Sequence, residues 1–103
     1  MGYYMKKITL VSAELMHQRY PKTFELLPEE ERKNIEAGNH VKVGIRSFMG
    51  DETTERLWVK VTEVKQDGKF IGSLRNDPVL VGLKYGDEIE FEACHIYCIE
   101  RTD

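Results

Sequence analysis

The sequence predicts a small α+β fold: an antiparallel β-meander, or an SH3-like partly open barrel, of about four to six strands with one or two short N-terminal helices. Two observations predict it. Up to residue 38 the chain carries helix-start and helix-stop signals, and from residue 39 apolar and polar residues alternate with the period of half-buried strands. The 103 residues suit a single domain, with 1–38 as a strand and helical lead-in and 39–101 as the β core.

The lead-in is predicted to hold one strand and two short helices. Lys7 to Val11 is a short apolar segment, and Ser12 can cap a helix that Pro21 ends. A second helix is indicated by "LPEEERKNIEAG", with Pro28 at its first position, glutamates in its first turn and Gly38 at its stop. Because the apolar side of this second helix is thin, we expect it to lie on the surface.

Four alternating segments form the predicted β core. "HVKVGIRSF" and "RLWVKVTEV" come first, and Asp67-Gly68 then turns the chain into "FIGSL" as a hairpin. The last segment, "DEIEFEACHIYCI", is predicted to be one strand with its glutamates facing away from the core. The residues predicted to face the core are Val41, Val43, Ile45, Leu57, Val59, Val61, Phe70, Gly72, Leu74, Ile89, Phe91 and Ala93.

The two cysteines, Cys94 and Cys98, are predicted to be free thiols. On one strand their Cα atoms would lie roughly 13 Å apart, whereas a disulfide needs less than about 7 Å. The spacing Cys94-His95-x-x-Cys98 raises the question of zinc, but on a strand His95 points away from both thiols and a further ligand would be needed. We therefore expect the thiols to pack in the core, with no metal and no cofactor.

Charge and hydropathy predict a cytoplasmic protein without a membrane partner. The formal net charge of −3 argues against a general polyanion binder. The N-terminal residues contain no apolar run long enough for a signal peptide or a membrane span. Free thiols also suit a reducing compartment.

No catalytic constellation is recognisable in the sequence. It contains no Gly-x-Ser-x-Gly, no phosphate-binding glycine loop and no His-Glu-x-x-His. Carboxylates are plentiful, but no two of them are marked by the unlike environments that general acid–base catalysis needs. The sequence therefore leans away from an enzyme.

The face opposite the predicted core carries cations around a tryptophan. A tryptophan among cations is typical of a surface that stacks bases and follows phosphates. The competing interpretation, favoured by the negative net charge, is that Glu88, Glu90 and Glu92 pair with lysines across strands while Trp58 covers an apolar patch. The residues that alternation places on this outer face are Lys42, Arg46, Trp58, Lys60, Lys69, Ser73 and Arg75.

The stretch Arg75-Asn76-Asp77-Pro78 interrupts the alternation. Pro78 cannot donate a ladder hydrogen bond and biases Asp77 toward an extended conformation, so the strand should end or bend here. Asn76 and Asp77 can close a turn through their own side chains. We therefore predict a turn, one that positions the best candidate polar groups for a site; whether the stretch is also a site is left open by the sequence.

Four short motifs, in a fixed order, resemble a known family. They are Trp-Val-x-Val-Thr-Glu-Val at Trp58 to Val64, Gly-x-Leu-x-Asn-Asp-Pro at Gly72 to Pro78, Gly-Leu-Lys-x-Gly-Asp at Gly82 to Asp87, and His95-Ile96. In this order they resemble the YegJ-like family of bacterial domains, catalogued as domain of unknown function 2314, over residues 20–99. The resemblance implies a small α+β bacterial domain without an established activity, related in some members to toxin immunity or defence. This chain has Tyr97-Cys98 where such domains often have an Asp.

Three functions follow as hypotheses. The leading one is a non-enzymatic cytoplasmic binding module for a protein or a small polar ligand. One alternative is a nucleic-acid or anion-binding β domain that uses the Lys42–Trp58–Arg75 face. The other is a small enzyme acting on a polar or nucleotide-like substrate, which needs His95 and Asp77 to converge in one cleft as acid–base groups. The candidate ligand-binding residues are Trp58, Arg75, Asn76, Asp77 and His95.

Overall fold

The computed structural model describes residues 9–22, 26–46, 54–78 and 83–100. These residues form an antiparallel six-stranded sheet, curled into a half-barrel, and two short helices. In chain order the elements are β1 (Thr9–Val11), α1 (Ala13–Arg19), α2 (Glu29–Lys33), β2 (His40–Arg46), β3 (Thr54–Val64), β4 (Lys69–Leu74), β5 (Glu88–Glu92), a 3-10 turn (Ala93–His95) and β6 (Ile96–Glu100).

The strands from β2 to β5 form a meander, and β6 then pairs with β2, the first strand of that meander. The sheet order is β1-β2-β3-β4-β5, and β6 pairs with β2. β6 pairs with His40 to Val43 and β1 with Gly44 to Arg46, so both lie along the edge of β2 that faces away from β3. The predicted small antiparallel meander or partly open barrel, with short N-terminal helices, is confirmed at this level.

One cluster of apolar side chains fills the concave side of the sheet. Its central members come from β2, β3, β4 and β5 and alternate with more exposed neighbours along most of these strands, as predicted, but on β4 Ile71 in the opposite phase is buried as well. Gly72 belongs to this packing, because a Cβ there would collide with the Cγ1 of Val59 and lie 3.1 Å from Phe91. The buried members include Val41, Val43, Ile45, Leu57, Val59, Val61, Phe70, Leu74, Ile89, Phe91 and Ile96.

The prediction of one continuous strand over "DEIEFEACHIYCI" is wrong. The 3-10 turn Ala93–His95 separates β5, which pairs with β4, from β6, which pairs with β2. A single straight strand could not follow both sides of the curled sheet, so the chain turns a corner between them. As a result Cys94 lies in the turn and Cys98 is exposed on β6, which corrects the predicted core packing of the thiols; both are free, as predicted.

Both predicted helices are present, but not all of their predicted ends are confirmed. The Ser12 hydroxyl accepts the backbone N–H of Leu15 at 3.2 Å and so caps α1 as predicted. Pro28 lies one residue before α2, and Gly38 does not stop that helix but takes a φ of +99° in the turn before β2.

No helix within the described ranges is long and apolar enough to cross a membrane.

Candidate functional site

A row of polar and aromatic residues crosses the outer side of the half-barrel. In the register of the sheet Cys98 of β6 lies opposite Lys42 of β2, and Lys42 lies opposite Trp58 of β3. The backbone N–H of Arg75 donates to the Trp58 carbonyl at 2.9 Å, so Arg75 lies on the far side of Trp58. Sheet pairing therefore places one cation on each side of the tryptophan, Lys42 on β2 and Arg75 after β4.

The cations in this row contact aromatic rings. The Lys42 ammonium lies 5.0 Å from the centre of the Trp58 ring. The Arg75 guanidinium lies 5.8 Å from the centre of the Tyr85 ring and donates to the Tyr85 hydroxyl at 3.0 Å. Each pair places a positive charge against the electron-rich face of a ring, which is the geometry of a cation–π contact.

A third pair lies one row further along β3. Pairing between β2 and β6 shifts after Lys42, because Lys42 opposes Cys98 while Val43 opposes Ile96, and Tyr97 is the extra, bulged residue. Such bulges change the direction of a side chain. Here Tyr97 lies over Gly44, where an added Cβ would be 2.6 Å from the Tyr97 hydroxyl. The Arg56 guanidinium then lies 5.2 Å from the centre of the Tyr97 ring.

These three pairs form what we call the cation–aromatic face. Arg56 and Trp58 are two positions apart on β3, so their rows lie about 7 Å apart. Two further cations, Arg46 and Lys60, share the outward phase of β2 and β3. The six members of the cation–aromatic face are Lys42, Arg56, Trp58, Arg75, Tyr85 and Tyr97.

The glutamates of β5 do not neutralise this face. Glu90 forms a salt bridge of 2.6 Å with Lys65, and this hydrogen bond raises the pKa of Lys65. The predicted glutamate–lysine pairing is thus confirmed at Glu90, with a lysine outside the predicted set. Within the described ranges, neither Lys42, Lys60 nor Arg75 takes part in a salt bridge.

Asn76 holds the backbone of the tryptophan in place. The backbone N–H of Trp58 donates to Asn76 Oδ1 at 2.7 Å, so the amide oxygen takes the place that a strand carbonyl would have. Asp77 follows it and is exposed. Asn76 therefore has a structural role, but not the predicted one: its amide oxygen does not close its own turn but accepts from β3, at a residue of the cation–aromatic face.

His95 lies elsewhere, in the 3-10 turn. Its Nδ1 accepts the backbone N–H of Glu92 at 3.0 Å, which leaves the ring proton on Nε2. Burial lowers the pKa of His95, so the neutral ring is favoured. The ring borders an open cavity of about 280 Å³ lined by Leu10, Lys69, Glu90, Phe91, Glu92 and His95.

The five predicted ligand-binding residues do not form one site. Trp58, Arg75 and Asn76 are adjacent and Asp77 follows them, whereas His95 lies near the opposite end of β4, since Lys69 opposes Glu92. The five steps from Lys69 to Leu74 span about 17 Å. Proton transfer needs hydrogen-bond reach, so this arrangement does not assemble His95 and Asp77 as an acid–base pair.

Sequence reasoning missed three members of the cation–aromatic face: Arg56, Tyr85 and Tyr97. The bulge that turns Tyr97 has no local sequence signal, although Gly44 within an otherwise alternating strand is typical of a close approach. Burial raises the pKa of the Tyr97 hydroxyl, with Arg56 opposing the shift, so the phenol stays neutral beside its cation. Tyr85 could not be assigned because it meets Arg75 only through the closure of the β4–β5 connection.

Comparisons with protein-family models, with curated proteins and with solved structures give no match to this chain. The resemblance to the YegJ-like family therefore stays a prediction. Inference about function has to come from the geometry of the chain itself.

Proposed function

We propose that this chain is a non-enzymatic binding module whose cation–aromatic face holds an anionic partner. The observation that carries the proposal is the set of three neighbouring cation–π pairs, two of them on the outer face of the sheet and one just beyond the end of β4. This combines the leading hypothesis of a binding module with the alternative of an anion-binding β domain. It takes Trp58 and Arg75 as direct contacts and Asn76 as their support.

The distribution of charge supports an anionic partner. The chain carries a net charge of −3, yet the outer side of β2 and β3 gathers Lys42, Arg46, Arg56 and Lys60, and Arg75 adjoins it. The acidic row Glu88–Glu92 lies on β5, two strands away from β3. Like charges gathered on one face create a local field that attracts the opposite charge, whatever the sign of the whole molecule.

The free energies of the cation–π contacts suit a surface whose side chains are ordered before binding but can still contact a partner. An exposed cation–π contact contributes about 0.5–1 kcal/mol. Three such contacts limit the conformations of the long lysine and arginine side chains, which lowers the entropy that a partner must remove on binding. A contact of this strength, such as that of Lys42 with Trp58, does not prevent the cation from turning toward a negative ligand.

We also infer that the half-barrel is an SH3-like partly open barrel and that residues 1–38 and 39–101 are the lead-in and β core of one α+β domain. The topology supports this: a four-strand meander is followed by a 3-10 turn and a last strand that returns to the first strand of the meander. The resemblance to the YegJ-like family supports a bacterial setting and a role in interaction, and the free thiols suit the cytoplasm.

The proposal is tested by titrating the protein with inorganic polyphosphate while following the fluorescence of Trp58, the one tryptophan in the chain. We expect saturable quenching, with affinity at least tenfold weaker in Lys60→Glu. The matched control is Lys22→Glu, which makes the same charge change at an exposed lead-in position and should leave affinity within about twofold of wild type. Equal weakening by both variants, or no binding of polyphosphate, poly-glutamate or oligonucleotides, would refute the proposal.

A further inference from the structure

We infer that the anionic partner is a single-stranded nucleic acid, bound by stacking of bases on the aromatic rings and by contact of phosphates with the cations. The inference rests on the proposed function and adds the chemical class of the partner. The face is made of alternating cations and rings, with Lys42 beside Trp58, Arg75 beside Tyr85, and Arg56 beside Tyr97. Cations interleaved with stacking platforms are what a single strand needs along its backbone.

The rings distinguish a nucleic acid from other polyanions. The face of an aromatic ring carries partial negative charge, so it offers no attraction to the phosphates of polyphosphate or to the carboxylates of an acidic peptide. A nucleobase, in contrast, has a π-face of its own and stacks on the ring. A surface that served anions alone would be expected to space its cations with small or polar residues.

The cation–π pairs can open to admit a base. Stacking of a base on an aromatic ring is stronger than an exposed cation–π contact. A base that stacks on Trp58 would therefore displace the Lys42 ammonium, and the flexible lysine stem allows that charge to move to a neighbouring phosphate. Each opened pair would then make two contacts with the strand, one to a base and one to the backbone.

The shape of the described elements favours a single strand over a duplex. The face lies on the outer, convex side of a curled sheet, and the described helices of seven and five residues are too short to present a recognition helix to a major groove. Bases within a duplex are stacked on each other and cannot reach the rings. Asn76 Oδ1 is engaged by the Trp58 backbone, so the Asn76 amide cannot make the two-point contact, through oxygen and nitrogen together, by which an amide reads a base edge, and we expect little sequence preference.

The direct test compares two labelled strands of equal length and charge by fluorescence anisotropy: a 12-nucleotide oligothymidylate and its abasic counterpart. We expect the abasic strand and a duplex of the same length to bind at least tenfold more weakly than the base-bearing single strand. Equal affinity for abasic and base-bearing strands, or tighter binding of poly-glutamate, would overturn the nucleic-acid inference while leaving the anion-binding function in place. No binding of any of these polyanions would refute both.

Variants locate the stacking. Trp58→Leu and Tyr85→Leu should each weaken binding of the base-bearing strand about 5- to 150-fold, and the abasic strand much less. The matched control is Tyr20→Leu, since Tyr20 on the lead-in is 52% exposed and Tyr85 is 53% exposed. If Trp58→Leu fails to fold, Tyr85→Leu alone tests the stacking. A loss of affinity for the base-bearing strand no larger than that caused by Tyr20→Leu would contradict stacking on this face.

Discussion

Asn76 shows how one polar side chain connects the fold with the binding face. Its amide oxygen accepts the Trp58 backbone N–H at 2.7 Å, next to the 2.9 Å bond from the Arg75 N–H to the Trp58 carbonyl. The ladder between β3 and β4 is thereby extended beyond Leu74, at the point where Pro78 prevents regular pairing from continuing. Asn76 is thus a positioning residue for Trp58.

Replacing Asn76 by Ala should lower the free energy of unfolding by about 1 kcal/mol, since the Trp58 N–H loses its acceptor. Asn76→Asp keeps an acceptor oxygen and serves as the control. Urea denaturation followed by Trp58 fluorescence measures both. Wild-type stability in Asn76→Ala, combined with weaker polyanion binding, would show instead that the amide contacts the partner.

His95 makes stability depend on pH. Burial lowers its pKa in the folded chain below the ordinary value of 6.5. Well above pH 6.5 the His95 ring is neutral in both the folded and the unfolded chain, so protonation of His95 takes nothing from the free energy of unfolding. As the pH falls through 6.5 the unfolded chain takes up the proton first, so stability decreases until the lowered folded-state pKa is passed.

We therefore expect wild type to lose stability between pH 7 and pH 5 relative to His95→Asn. Asparagine retains an acceptor for the Glu92 N–H but does not titrate. Denaturant midpoints of the two proteins at several pH values test this. A difference between them that stays constant over the range would contradict a neutral, buried His95.

At the scale of elements, the two helices are joined through a buried arginine. Arg32 of α2 donates to Glu14 Oε2 of α1 at 2.7 Å and to the Leu27 carbonyl at 3.1 Å. Both helices contact the 3-10 turn, where the chain passes from β5 to β6. The lead-in therefore supports the corner that allows β6 to close back on β2.

Removing Glu14 should be more destabilising than removing Arg32. The Arg32 side chain is 6% exposed and that of Glu14 is 46% exposed, so in Glu14→Ala the Leu27 carbonyl is the one remaining hydrogen-bond partner of this buried charge among the described residues, at a cost of about 1–3 kcal/mol. In Arg32→Met the Glu14 carboxylate is left in contact with water, and the methionine side chain replaces the apolar stem of the arginine, so the loss of stability should be smaller. Urea denaturation of both variants and the double variant tests the order; a larger loss in Arg32→Met would contradict it.

The elements show what periodicity can and cannot predict. Alternation identified β2, β3 and β4 and the face that each presents to the core, because each pairs with its chain neighbour, but it did not predict that Ile71 on the opposite face of β4 is buried. It missed the 3-10 turn Ala93–His95, since residues on either side of the turn still alternate. That turn exists because β6 pairs with β2, more than fifty positions earlier in the chain, and local pattern contains no information on such a contact.

For the whole molecule, the distribution of charge matters more than its sum. Alternation in the sequence placed Lys42, Trp58 and Arg75 on one face correctly, but the negative net charge favoured pairing of the lysines with glutamates. Sheet order separates the two sets, because β5 neighbours β4 alone on the main path and Glu90 meets Lys65 instead. Strand order could not be read from the sequence, so the electrostatic character of the face was not predictable.

The most direct test is the salt dependence of single-strand binding. If Lys42, Arg56, Lys60 and Arg75 contact phosphates, the logarithm of the binding constant should fall with the logarithm of salt concentration with a slope of about −2 to −3. Lys60→Ala should make the slope shallower by about 0.7, whereas the exposed lead-in control Lys22→Ala should leave it unchanged. A slope near zero, or the same slope in wild type and Lys60→Ala, would contradict binding of phosphates by the cations on the outer side of β2 and β3, which the cation–aromatic face shares with Lys60.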